Sequence, residues 1–106
     1  MHLRIHKIQD LLTSDPARNW SQQELADQCY LSSRHLSRLF SEHTGTTLGE
    51  YQQQLRLALA KELISNSTLS LGQIGEQVGF GSDRQFRRVW KKWNNYPPSK
   101  VRQQAL

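Results

Sequence analysis

Arg84, Gln85, Arg87, Arg88, Lys91 and Lys92 stand within nine consecutive positions, and about fifty positions earlier Ser32, Arg34, Ser37 and Arg38 form a sparser group of similar kind. An arginine guanidinium presents a planar fork of donors, a glutamine amide sets a donor beside an acceptor, and a lysine carries a compact charge on a mobile stem. Such groups bind; they do not attack. The chemistry open to them is hydrogen bonding to flat, acceptor-rich edges and neutralisation of anions, and at spacings of three and four they share one side of a helix.

Other chemistries lack their residues. There is no glycine-rich phosphate loop, no histidine placed to activate Cys29 and no convincing carboxylate pair, so the chain is not expected to be an enzyme or to need a cofactor. His2 and His6 have the i, i+4 spacing that can place two imidazoles on one metal, but no third ligand is near in sequence and no metal site is expected. Cys29 is the single cysteine, which excludes an internal disulfide and fits a small buried apolar residue.

The composition points the same way. Of 106 residues, 14 are Lys or Arg and 9 Asp or Glu, a net charge of +5, and from Arg84 onward there are seven basic residues and no acid. A one-signed segment of this kind favours a polyanionic partner. No apolar run is long enough to span a membrane, and the N-terminus lacks the apolar core of a signal peptide, so a soluble cytoplasmic protein is expected.

The elements that must carry these residues read as helices throughout. Ile5, Ile8, Leu11 and Leu12 share one side of a helix from about Leu3 to Thr13, which stops ahead of Asp15-Pro16. Ser21 with Glu24 forms a capping-box pattern for a second helix, Gln22 to Cys29, with Trp20 stapled ahead of it and packed in the core. The chain breaks near Tyr30-Leu31. Ser32 caps a third helix with apolar positions Leu36, Leu39, Phe40 and His43, and Gly45 supplies a left-handed stop. Thr47 with Glu50 starts a fourth helix reaching about Ser65. It has one apolar side of Leu48, Tyr51, Leu55, Leu59 and Leu63 and another of Leu57, Ala60 and Ile64.

Beyond Asn66 the pattern repeats. Trp20-Ser21, Leu25-Ala26 and Cys29 fall over Leu69-Ser70, Ile74-Gly75 and Val78 at an offset of 49; Leu36, Leu39, Phe40 and Gly45 fall over Phe86, Val89, Trp90 and Asn95 at an offset of 50. One extra residue therefore sits in the second turn, around Gly79-Phe80-Gly81. Each copy reads as N-cap, short helix, tight turn, N-cap, longer helix and left-handed terminator. The expected fold is all-α with about seven helices: a first helix-turn-helix over 1–46, a linker helix over 47–66 and a second helix-turn-helix over 67–106.

This architecture gives the basic residues their roles. Ala26 and Gly75 are the small residues where paired helices approach closely. In the second copy Phe86, Val89, Trp90 and Trp93 form an inward stripe, so the cations take the outer face. Arginine near the start of such a helix can grip guanine with two bonds and glutamine can do so for adenine. Arg34, Ser37, Arg38, Arg84, Gln85, Arg87 and Arg88 are the base-reading candidates. Ser32, Lys91, Lys92, Lys100 and Arg102 are the phosphate candidates. A linker of about 19 residues at ~1.5 Å rise spans roughly 28 Å, close to the ~34 Å between successive major-groove faces. Read from residues alone, duplex recognition stands beside a second reading, a basic helical face that meets RNA or an acidic protein.

Three segments, WSQQELADQCYLSSRHLSRLFSEHTGTTLGEY, RLALAKELI and LSLGQIGEQVGFGSDRQFRRVWKKWNNYPPSKVR, together resemble the C-terminal DNA-binding domain of AraC/XylS-type bacterial transcription regulators. The resemblance covers nearly the whole chain. It implies seven helices, one reading helix per unit, promoter or operator DNA as partner, RNA polymerase as a further partner, and an effector-sensing or dimerising domain outside this sequence. It also implies a cytoplasmic, nucleoid-associated activator or repressor. Asn95, Pro97, Val101 and Leu48 depart from the family's usual residues at the ends of elements.

Overall fold

Serine begins four of the helices. Ser21, Ser32, Ser70 and Ser82 all lie in extended backbone, and each side chain accepts the N–H three residues on, from Glu24, His35, Gln73 and Gln85. A hydroxyl so placed satisfies one of the donors a helix leaves free at its start. At Ser21 and Ser70 the pattern closes reciprocally, because the side chains of Glu24 and Gln73 accept the cap's own N–H at 3.0 and 2.9 Å. Ser21 backbone and hydroxyl donation together hold the Glu24 carboxyl below its ordinary range. Thr47 acts similarly, accepting from the Glu50 N–H at 3.1 Å while its hydroxyl donates to the Glu50 carboxylate at 3.0 Å.

A computed structural model describes residues 3–105 of the chain. The elements are α1 (Leu3–Ser14), α2 (Gln22–Gln28), α3 (Ser33–Thr44), α4 (Leu48–Asn66), α5 (Leu71–Gln77), α6 (Asp83–Trp93) and α7 (Pro98–Ala105), with no strand among the described residues. They form two compact units whose boundary lies between Gln52 and Gln53, inside α4. The linker helix is thus divided, its first turn belonging to unit 1 and the remainder to unit 2.

Unit 1 buries Ile5, Ile8 and Leu12 of α1, Leu25 and Ala26 of α2, Cys29, and Leu36 and Phe40 of α3. Phe40 meets Tyr51 edge-on at 5.2 Å. Cys29 is a buried free thiol, 3.5 Å from the Arg4 carbonyl, and burial pushes its pKa up. Two expected core residues sit differently. Trp20 is half-buried, with the Arg18 guanidinium 3.6 Å from its ring centroid. His43 is exposed, since it lies in the last turn of α3, beyond the buried Leu36–Phe40 stripe.

Unit 2 is built on an aromatic chain. Phe80 stacks on Phe86 at 5.3 Å, Phe86 meets Trp90 edge-on at 6.1 Å, and Trp90 meets Tyr96 at 6.1 Å. Around it are Leu57, Ala60 and Ile64 of α4, Ile74 and Val78, Val89 and Val101, with Leu59, Leu63 and Trp93 partly buried against them. Of the two apolar sides expected on α4, the Leu57 side is fully buried and the Leu48–Leu63 side half-buried. Arg56, only 7% exposed, is the charged side chain this helix carries inward, and burial lowers its pKa.

The two turns share one hydrogen-bond plan. Leu31 N–H donates to the Ala26 carbonyl at 3.0 Å, and Phe80 N–H to the Gly75 carbonyl at 2.9 Å. Both plans need a left-handed residue, Gly79 (φ 109°) in one and Tyr30 (φ 57°) in the other. Tyrosine is strained there, and the residue is 92% exposed.

The terminators differ between copies. Gly45 ends α3 in the left-handed region as expected, with φ 74°. Asn95 does not end α6 that way: the cap is Asn94, in extended backbone. The Trp90 carbonyl accepts from both the backbone and the side chain of Asn94 at 3.0 and 3.1 Å, and Trp90 Nε1 donates to the Tyr96 carbonyl at 2.7 Å. These bonds close the corner without a left-handed residue.

Gly75 is the tightest point, because a Cβ built there would lie 2.9 Å from Cδ2 of the buried Phe86 ring. Overpacking costs about 1–3 kcal/mol, against a helix-propensity gain of about 1 kcal/mol. Gly75→Ala is therefore expected to lower the urea midpoint of unit 2. Gly72→Ala, where a Cβ meets nothing within 4 Å, should raise it slightly.

Candidate nucleic-acid interface

On α6 the buried side is Phe86, Val89 and Trp90, which fixes the helix against the unit 2 core. Asp83, Arg84, Arg87, Arg88, Lys91 and Lys92 are exposed, and Gln85 is half-buried. The sequence's second basic group is thus brought together on one short cylinder. Lys92 Nζ rests 4.4 Å from the Trp93 ring centroid, which holds its stem along the surface without removing its charge. Arg87 Nε donates to Asp83 Oδ2 at 2.8 Å.

Gln85 is more constrained than its sequence role implied. Its Oε1 accepts the Gly81 N–H at 2.8 Å, so the amide carbonyl is occupied in capping the helix start. A two-bond contact with adenine needs that carbonyl as well as the NH2 group. In this geometry one of the two acceptor positions of that carbonyl is already taken by Gly81.

On α3 the buried side is Leu36 and Phe40, while Arg34, His35 and Arg38 are exposed and Ser37 half-buried. Ser32, exposed just ahead of the helix, accepts the His35 N–H at 3.1 Å and keeps its own hydroxyl proton to donate. At a helix start this places a donor where the backbone already favours anions. Gln22, which the sequence did not single out, clips the unit together: its Nε2 donates to the backbone carbonyl and hydroxyl of Ser33, each at 2.9 Å. Nothing in a polar residue at the start of α2 signals a partner eleven positions away.

The two α7 cations lie off α3 and α6. Lys100 is exposed. Arg102 is half-buried, and its guanidinium donates to the carbonyls of Ile64 at 3.3 Å and Ser67 at 3.2 Å, where α4 ends. A cation at a helix C-terminus satisfies free carbonyls and the helix dipole together. Among the described residues no cluster of His, Cys, Asp or Glu could hold a metal, and His2 of the His2–His6 pair lies outside the described residues. No described helix is long and apolar enough to cross a membrane.

Residues 25–104 match a family described as "Helix-turn-helix domain". The crystal structure of a transcriptional regulator of the AraC-type DNA-binding-domain-containing proteins, from Chromobacterium violaceum, superposes with a TM-score of 0.91 at 28% identity, over 98% of this chain and 93% of that one. The chain belongs to the AraC-type helix-turn-helix family. Among curated AraC-type relatives, the HTH-type transcriptional regulator AlkR of Acinetobacter baylyi is 32% identical over 105 residues, 99% of this chain and 34% of AlkR, so the chain spans about a third of that protein. The DNA-binding domain of AdpA, solved with a target DNA, shares the AraC-type fold at a TM-score of 0.89 and 20% identity, over 95% of this chain and 91% of that one.

Arg102→Ala is expected to destabilise unit 2 by about 1 kcal/mol, the worth of a charged hydrogen bond discounted for partial exposure. Lys100→Ala should leave stability unchanged within about 0.5 kcal/mol. Parallel thermal melts of the two variants check the difference.

Proposed function

We propose that this chain is the DNA-reading part of a bacterial transcription regulator, with α3 and α6 each entering a major groove of promoter or operator DNA, in adjacent grooves. The observation that carries the reading is α6: a helix anchored by buried Phe86, Val89 and Trp90 whose exposed face bears five cations. Family membership supports it, as does the target DNA bound by AdpA.

Arg34, Ser37 and Arg38 with Arg84, Arg87 and Arg88 read base edges. Gln85 contributes as a donor, to guanine, thymine O4 or phosphate. Ser32, Lys91, Lys92 and Lys100 bind phosphates, and Arg102 is reassigned from phosphate to holding the end of α4. Because the chain spans about a third of AlkR, an effector-sensing or dimerising domain and RNA polymerase are proposed as partners of the longer protein. The site works by binding in the cytoplasm, without catalysis.

Selection from random duplexes tests this. An enriched motif is expected, long enough for two major-groove contacts if both units read. Arg88→Ala and Arg38→Ala should each lose about 1–3 kcal/mol on that motif and much less on random DNA. Lys92→Ala should weaken all duplexes alike and reduce the salt slope by about one. Binding that random DNA and RNA compete away equally well, with no motif, would show a charge-only module instead.

A further inference from the structure

The first turn of α6 carries an anion in an otherwise cationic stretch. From Asp83 to the last residue the sequence has one carboxylate and seven Lys or Arg. On a surface that meets phosphates a carboxylate opposes binding, and an exposed i, i+4 ion pair adds little to folding. The pair is nevertheless well formed. Asp83 Oδ2 accepts from Arg87 Nε at 2.8 Å, and both side chains are 51% exposed. Arg84 and Arg88, on the same helix, have no carboxylate partner among the described residues.

The atom that Asp83 engages decides what Arg87 can do. A guanidinium has two edges able to make paired bonds, one through Nε and a terminal nitrogen, the other through the two terminal nitrogens. With Nε–H committed to Asp83, the terminal edge remains, and its two parallel donors match O6 and N7 of guanine. Fixing the long side chain beforehand also removes rotamer freedom that binding would otherwise have to freeze. Resting on the DNA-reading function proposed above, we propose that Asp83 is a positioning residue that sets Arg87 to read one guanine end-on.

A merely structural role for Asp83 predicts something else. An acid in the first turn stabilises a helix through its dipole, and losing it would lower the melting temperature without changing which bases are preferred. Positioning predicts opposite signs in two binding measurements. Asp83→Ala should tighten binding to random duplex, since a negative charge leaves the surface, and yet lose about tenfold in preference for guanine at a single position of the selected site.

The experiment measures affinities of the full chain on the selected duplex, on versions with each base pair changed in turn, and on one with 7-deazaguanine in place of guanine. Arg87→Ala should abolish the preference at one G·C pair, and 7-deazaguanine there should weaken the native protein. Asp83→Asn keeps a carbonyl to accept the Nε–H and should retain most of the preference while also tightening random binding. In an Arg87→Ala background, Asp83→Ala should cause no further loss of preference. Full guanine preference in Asp83→Ala, an equal loss at every position, or an effect that persists without Arg87 would each overturn the proposal. If Arg88→Ala still loses the preferred site while any of these occurs, the DNA-reading function stands and only the role of Asp83 falls. If selection yields no preferred site, the broader reading fails first.

Discussion

Each unit depends on how closely its short helix can approach its longer one. In unit 2 the constraint is explicit, because the α carbon of Gly75 lies where any added carbon would touch the Phe86 ring. That approach lets Phe86 stack on Phe80 and meet Trp90 edge-on, and sets the side of α6 that faces inward. Once the inward side is fixed, the outward side follows from the helical period. Ala26, wholly buried, holds the equivalent place in unit 1.

The turn between the helices serves the same constraint. A bond from the fifth residue back to the small residue's carbonyl turns the chain within three positions, and a left-handed residue makes the bond possible. Serine caps then restart the helix at a fixed residue, so the register of Arg34 or Arg84 is set by Ser32 or Ser82. Register matters because a one-residue slip rotates a helical side chain by about 100°.

Capping serines, the repeat and the apolar stripes were legible in the sequence because they depend on residues three or four apart. What was illegible depended on distant partners or on backbone choice. Asn95 was expected to stop α6, but the Trp90 carbonyl and indole, reaching Asn94 and Tyr96, do so instead. Tyr30 gave no sign of its left-handed conformation, since tyrosine is a poor residue for it. Arg102 read as a phosphate candidate, and its bonds to carbonyls 35 and 38 positions away at the end of α4 were not foreseen. Gln85 was read as a site candidate, but its bond to Gly81, which narrows its chemistry, was not foreseen. The basic face of α6 could be read early because a solvent-facing side needs no distant partner.

Cys29 gives the fold a built-in sensor. It is the chain's sole thiol, sealed in unit 1 between α1 and the α2 turn, and burial keeps it protonated and slow to react. An alkylating reagent therefore reacts at the rate at which that half of the molecule opens. Indole emission comes from both halves, Trp20 in one and Trp90 and Trp93 in the other, so with Trp20 replaced by Phe the breathing of each half can be timed separately.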